Sequence, residues 1–523
     1  MSSRLVLVAS LLFATSVAAQ GKPKFEFAPE TVEKSGPPSR TLQKALKLYE
    51  NKDYYSASIE LHKVIEGETG DSPANKQRAE FWMGKTLYHL GFFSASLSYF
   101  DRIVQKGDAH RYYAATLKWL ASLSRKLPES VGILKKIGKY SRVQLEQPAL
   151  EKVKYELYYL LGRYHYTTGN FKDAVALFGA VPSNSSFFAR AKFMEGITHI
   201  RQYKAKPAAG AFKILLRTAR ESPDASEIRQ FEELSLLSLA RIFYSTGQFD
   251  LSIKYYNQLP HGSRNWLPAL FESSWAQFQR QHFAKALGNI HTLNAPFFEE
   301  RSFPESLILK AVVYWKHCLW QRSQDAIDEF KGKYPKLQKQ VDSIVNQYND
   351  PTEFYGYADK IRKSQAGLSR DVGRLVRGAL SDRTLEKTFE FVAELDRELK
   401  QVQGADPAWK ATAIAGVILQ DLMLQRSLAQ RDAGDLAQRR LKRLSGEIKE
   451  LLKQAIKVEY EIINGQKNEL EATVRGELVI GAGKRQARDF VPNDEQHYWP
   501  FRKEFWRDEL GYYLTKIRSR CTR

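Results

Sequence analysis

A 34-residue step through the middle of the chain limits what it can fold into more than any other feature. Between Glu151 and Leu293, Gly162, Ala174, Phe178 and Val181 recur one step later as Gly196, Ala208, Phe212 and Leu215. After a ten-residue slip the register returns at Leu239-Ala240, Gly247, Phe249, Ser252, Tyr256 and Leu259. It then steps again to Ser274, Phe283, Ala286, Ile290 and Leu293. Small residues at two fixed places and large apolar residues at three others are the pattern of stacked helix pairs. The small residues let the two helices of a pair approach, and the large ones fill the space against the next pair.

Weaker copies flank this region. A first unit holds Ala45, Tyr54, Ala57 and Leu61, and a second Gly84, Gly91, Phe93, Ser96 and Phe100. A degenerate third runs from Leu120-Ala121 to Ile137 with Pro128 at its turn. An eighth has Ala311, Tyr314, Trp320, Ser323, Ile327 and Phe330 and closes at Tyr334-Pro335. The expectation is an all-α, right-handed solenoid of about eight helix pairs over 41–335.

Spacing and residue type together resemble the tetratricopeptide repeat (TPR) family. That resemblance implies a concave face lined by the first helix of each pair. Counted from the small residue of that helix, the inward positions are Lys85, Tyr88, Arg125, Tyr159, Arg163, Tyr166, Arg201, Arg241, Tyr244, Trp275, Phe278 and Trp315. Arg, Tyr and Trp dominate binding energy at protein interfaces, and Arg grips carboxylate or phosphate in a fork. The expected groove is therefore basic and aromatic, suited to an acidic protein partner or, alternatively, an anionic lipid or polysaccharide. The family's carboxylate clamp of Lys and Asn at set positions is not reproduced, so binding of a C-terminal carboxylate is not inferred.

Charge and the N-terminus narrow the partners. Eighty Lys+Arg against 59 Asp+Glu leave a formal charge of +21, which draws anionic partners. Arg4, the apolar run Leu5 to Ala14, and Val17-Ala18-Ala19 read as a signal peptide over 1–19. The run is too short for a membrane span, and no later stretch is apolar enough for one. Residue 20 is Gln20 and not Cys, so the usual lipoprotein anchor is not expected. The reading is an exported protein of a bacterial periplasm, with no nucleic-acid partner. For the two cysteines, Cys318 and Cys521, the favoured reading is one packed thiol and one free tail thiol, with a long-range disulfide as the alternative.

The flanks of the solenoid differ from it. Residues 20–40 carry Pro23, Pro29, Pro37 and Pro38 and read as an extended leader. Past Pro335, Asn349-Asp350-Pro351 marks a break. Leu385, Val392, Leu395, Leu399 and Val402 form one heptad-like stripe, and Leu441, Leu444, Ile448, Leu451, Ala455, Val458 and Ile462 another. With the Ala-rich segment Ala408–Gln430 between them, 336–480 reads as a helical bundle or coiled-coil hairpin. Asp432-Ala433-Gly434-Asp435 is either a turn or a point inside one continuous helix. Finally, 481–523 is rich in aromatics, with Tyr498, Trp499, Phe501, Phe505 and Trp506 in nine residues. Such a segment either folds back on the body or docks another protein.

No nucleophile elbow, phosphate loop or metal-pair motif appears, so no catalytic residue, cofactor or metal is assigned. His165 and His199 lie one repeat apart and read as structural. Glu272-Ser273 stands alone in a repeat helix, without the stretch that follows the catalytic Glu of lytic transglycosylases. The whole layout resembles the periplasmic TPR components of the gliding-motility envelope machinery of myxobacteria. That resemblance implies a non-enzymatic scaffold bridging envelope subunits. A carrier of anionic glycolipid or polysaccharide and an outer-membrane assembly factor are the alternatives. The missing lipobox Cys counts against the last.

Overall fold

A computed structural model describes residues 36–128, 131–221, 226–298, 301, 303–475 and 494–521. The signal-peptide segment, most of the leader and Gly481 lie outside the described residues. Among the described residues there is no strand. The helices come in successive pairs: α1 (Arg40–Glu50) with α2 (Tyr54–Glu66), α3 (Pro73–Leu90) with α4 (Phe93–Lys106), and α5 (Tyr113–Ser124) with the short α6 (Ile133–Ile137). After α7 (Arg142–Leu145) come α8 (Lys154–Thr167) with α9 (Phe171–Gly179), α10 (Phe188–Arg201) with α11 (Ala205–Glu221), and α12 (Ser226–Ser245) with α13 (Phe249–Tyr256). The last pairs are α14 (Trp266–Gln279) with α15 (Phe283–Leu293) and α16 (Glu305–Trp315) with α17 (Trp320–Asn346). This is the TPR-like solenoid of eight helix pairs that the periodicity predicts.

Each regular pair is built on offsets from one small residue of its first helix. That residue is Ala45, Gly84, Gly162, Gly196, Ala240, Ser274 or Ala311. Sixteen residues later stands Leu61, Phe100, Phe178, Phe212, Tyr256, Ile290 or Ile327, each no more than 5% exposed. Where the small residue is glycine, the Phe ring fills the space of a side chain: a Cβ at Gly84, Gly162 or Gly196 would lie 2.7 to 2.8 Å from it. Twelve residues after the small position another small residue is fully buried, from Ala57 through Ser252 to Ser323. The hydroxyls of Ser96 and Ser323 donate back to the carbonyls of Gly84 and Ala311 at 2.7 and 2.8 Å.

The reversal between the two helices falls seven residues after the small position. It takes left-handed backbone at Lys52, Gly91, Gly169, Tyr203, Gly247, Gln281 and Cys318. Three of these are glycines, for which that conformation carries no side-chain clash. The degenerate third pair departs from the scheme. There Tyr113 and Tyr140 stack 4.0 Å apart, and each hydroxyl donates to a backbone carbonyl of the other's segment.

The solenoid does not stop at Tyr334-Pro335: α17 carries Pro335 inside it and continues to Asn346. At the Asn349-Asp350-Pro351 break, Asp350 caps α18 (Pro351–Arg362) by accepting from the N–H groups of Thr352 and Glu353. Then follow α19 (Arg370–Leu380), α20 (Arg383–Gln403), α21 (Pro407–Lys410) and α22 (Ala413–Val474). The two segments read from sequence on either side of Asp432-Ala433-Gly434-Asp435 are one helix of 62 residues. At 1.5 Å per residue α22 is about 93 Å long. Gly434 sits inside it because the backbone of α18 passes there; a Cβ would lie 3.0 Å from the nitrogen of Tyr355.

These C-terminal helices pack on both ends of the solenoid. The first half of α22, with Ile414, Ile418 and Leu422, shares a core with α20 and the first two pairs, including Leu61, Leu87 and Tyr99. The second half, with Leu441, Ile448, Ala455 and Ile462 at strict heptad spacing, shares a core with α16 to α19. Polar contacts fasten each end. Trp409 Nε1 donates to Ser58 at 3.0 Å and Ser98 to Asp421 at 2.9 Å. At the far end Trp320 Nε1 donates to Glu469 at 2.5 Å, and Lys331 pairs with Glu459 at 2.9 Å.

Candidate functional site

None of the twelve groove positions is buried: Arg125, Arg201 and Arg241 are exposed, and the other nine are half-buried. Arg125 and Arg241 are already gripped. Arg125 forks the carboxylate of Glu156 at 2.6 to 3.2 Å, and Arg241 forks that of Glu272 at 2.6 and 2.8 Å. In both cases the Glu lies 31 residues on, in the first helix of the next regular pair. The Glu272 carboxylate also accepts from the Tyr256 hydroxyl at 2.9 Å. These arginines therefore join neighbouring pairs, and a partner would have to compete for them. Arg163 lies 5.7 Å from the Tyr159 ring.

Four of the groove aromatics seal their own pair's turn. Tyr88, Tyr166, Tyr244 and Phe278 each contact the ring five residues ahead, at Phe93, Phe171, Phe249 and Phe283, with centroids 5.3 to 6.0 Å apart. Trp275 meets Phe278 edge-on at 5.9 Å. Trp315 packs against the core around α17.

Lys85 stands in a cage of rings. Its ammonium lies 3.3 Å from the Trp82 ring centroid, 4.7 Å from Tyr49 and 5.7 Å from Trp119. Burial, with Lys118 nearby, pushes its pKa down to about 8. Ring faces attract a cation, and so offset part of the cost of withdrawing it from water. The chain's own lysine thus occupies the space between these rings.

The C-terminal segment folds back on the seventh pair, where it meets α15 and the start of α14. Lys285 Nζ donates to the Gly511 carbonyl at 2.5 Å, and Gly511 N–H donates to Thr292 at 3.0 Å. Thr515 N–H donates to the Ala284 carbonyl at 3.0 Å, and Arg520 N–H to that of His317 at 2.8 Å. Phe505 stacks on His291 at 4.6 Å, and Leu510 is buried beside Trp266. The other predicted docking residues remain exposed: Tyr498 is 69% exposed, Trp499 58%, Phe501 54% and Trp506 41%. Trp499 and Trp506 meet edge-on at 4.9 Å.

Cys318 and Cys521 are joined in a disulfide with their Cα atoms 5.0 Å apart. The reading of one packed thiol and one free tail thiol is corrected: the alternative is the one found. Sequence could not locate the pair because 203 residues separate the two and no local pattern relates them. Cys318 occupies the left-handed turn position of the eighth pair, which turns it toward the tail.

Among the described residues no group of three or more His, Cys, Asp and Glu is placed to hold a metal ion. Nor is any described helix long and apolar enough to cross a membrane. A basic stripe that the sequence reading passed over, Lys213, Arg217 and Arg220, opens on a cavity between α11 and α13. Its signal was an i, i+4, i+7 spacing on one second helix.

No protein-family model matches the chain, and no curated protein does. Among solved structures it is similar to a tetratricopeptide repeat protein from Parabacteroides merdae, at 12% identity over 56% of this chain and 91% of that one, with a TM-score of 0.25. It is also similar to yeast Tom70, at 14% identity over 84% of this chain and 98% of that one, with a TM-score of 0.18. The helix-pair architecture is shown by the packing described above.

Proposed function

We propose that the protein is a non-enzymatic scaffold of the bacterial envelope that binds protein partners. The observation that carries this reading is the tail. Tyr498, Trp499, Phe501 and Trp506 stay exposed on a segment pinned to the body through Leu510, Gly511, Thr515 and a disulfide. Large aromatics fixed in place lose little freedom on binding and supply most of the energy at interfaces. The excess of cations favours a partner with an acidic surface. The disulfide supports an oxidising compartment, in line with export through the N-terminal segment. The resemblance of the layout to gliding-motility components supports a place in such an envelope complex, bridging its subunits.

The test is quantitative capture from crosslinked native cells with the wild type and the Trp499→Ala/Trp506→Ala variant. The scaffold reading expects a defined set of envelope proteins lost from the variant while its melting temperature is unchanged. An identical set with both proteins would remove the tail as the binding surface and this reading with it.

A further inference from the structure

We infer that the cavity between α11 and α13 is a binding site for a phosphorylated ligand. It has a volume of about 680 Å³, within the range of small-molecule sites. Four cations converge on it from two helices: Lys213, Arg217 and Arg220 from α11, and Lys254 from α13. Among the described residues none of the four takes part in an ion pair. The chain pairs its cations elsewhere, as at Arg125–Glu156, Arg241–Glu272 and Arg280–Asp250. Like charges at i, i+4 on one helix face repel and disfavour the helix slightly. A shared anion removes that repulsion and recruits all four at once.

The floor says more about the ligand. Leu216 is 7% exposed there, and Tyr255 stacks on Phe243 of α12 with centroids 5.4 Å apart and planes within 4°. Lys213 lies 5.9 Å from the Phe243 ring. A cationic rim over a flat apolar floor fits a phosphate ester: the phosphate is gripped by two guanidinium forks and two ammonium groups, and an uncharged portion lies on Tyr255. None of its lining residues is a groove position or one of the tail contacts named above, so it does not rest on the protein-partner reading.

The ester could be free or the headgroup of a lipid, and two arms separate these sources. In the first arm, pyrophosphate and phenyl phosphate are titrated by calorimetry at low salt. The second arm sediments vesicles of phosphatidylglycerol and phosphatidylcholine with the protein. Both use the wild type, a Lys213→Gln/Arg217→Gln/Arg220→Gln variant, and a control that removes the same charge elsewhere through Lys172→Gln/Lys204→Gln/Lys206→Gln. Saturable binding that the first variant weakens at least about tenfold, and the control leaves intact, supports the site. Support from the phosphates alone identifies a free ester, and from the vesicles a lipid headgroup. Tyr255→Ala should then weaken phenyl phosphate more than pyrophosphate. Absence of binding in both arms, or equal losses in variant and control, overturns the proposal. Unchanged helical circular dichroism shows that these exposed substitutions leave the fold in place.

Discussion

Glu398, on α20, accepts a hydrogen bond at 2.7 Å from the backbone N–H of Ser94, 304 residues earlier at the start of α4. Phe92, the residue capping that helix, offers no side-chain bond, so the carboxylate takes over the capping role. Its other oxygen is buried without a partner. Burial, assisted by the neighbouring charge of Glu394 and opposed by the N–H groups of Ser94 and Ala95, pushes the carboxyl up to about 7.

A stability that depends on pH follows. Between the ordinary value of 4.5 and about 7, the folded chain holds a proton that the unfolded chain has released. Stability from this group is therefore full below about pH 4.5 and is lost as pH rises toward 7. Glu398→Gln keeps the shape and removes the titration. Compared by denaturant titration, the variant should gain on the wild type between pH 4.5 and 8, by on the order of 3 kcal/mol. A constant difference across that range would contradict the assignment.

Two glycine substitutions should act in opposite directions. Gly162→Ala places a methyl 2.7 Å from the Phe178 ring in a filled core and should cost about 1–3 kcal/mol. Gly210→Ala, inside α11 with nothing within 4 Å, should stabilise by about 0.5–1 kcal/mol through helix propensity alone. Urea unfolding of the two variants checks both signs.

Tyr203 holds a left-handed backbone conformation at φ 58° while its side chain is 97% exposed. Tyr203→Gly removes the steric cost at that turn and should stabilise by roughly 1 kcal/mol. A loss of stability would mean that the exposed ring contributes packing not evident here.

These repeat positions were legible because their partners lie twelve or sixteen residues away, within one helix pair. Small-residue spacing alone located Gly84 against Phe100 and Gly196 against Phe212. The same reading failed for contacts set by the return of the chain. Glu398 with Ser94, Trp320 with Glu469 and Cys318 with Cys521 have no periodic relation that one sequence can reveal. For the groove, the sequence shows which residue type stands at each position but not what that residue already engages. Arg125 and Arg241 meet Glu156 and Glu272 one pair ahead, a spacing of 31 that could have been searched for.

Reducing the disulfide, or making Cys521→Ser, should free the end of the tail. Limited trypsin digestion would then cut faster at Lys516 and Arg518 while the solenoid fragments stay protected. Equal cleavage in oxidised and reduced protein would show that Leu510 and the hydrogen bonds to α15 hold the tail unaided.

Trp320→Ala removes the ring that covers Gly465 and the bond to Glu469. Amide exchange over 459–474 should quicken in that variant, with exchange over 413–430 unchanged, because the near half of α22 keeps its own core. Matching acceleration in both halves would mean that the helix detaches as a unit.

An open array of helix pairs behaves as a spring, since each pair touches only its neighbours and small rotations add along the stack. In this chain a single helix runs as a chord from the first pairs to the last. Stretching or twisting the array would have to strain α22 lengthwise or tear one of its two attachments. Whatever grips the two ends is thus held at a nearly constant spacing, and a pull applied at one end reaches the other without being taken up in between.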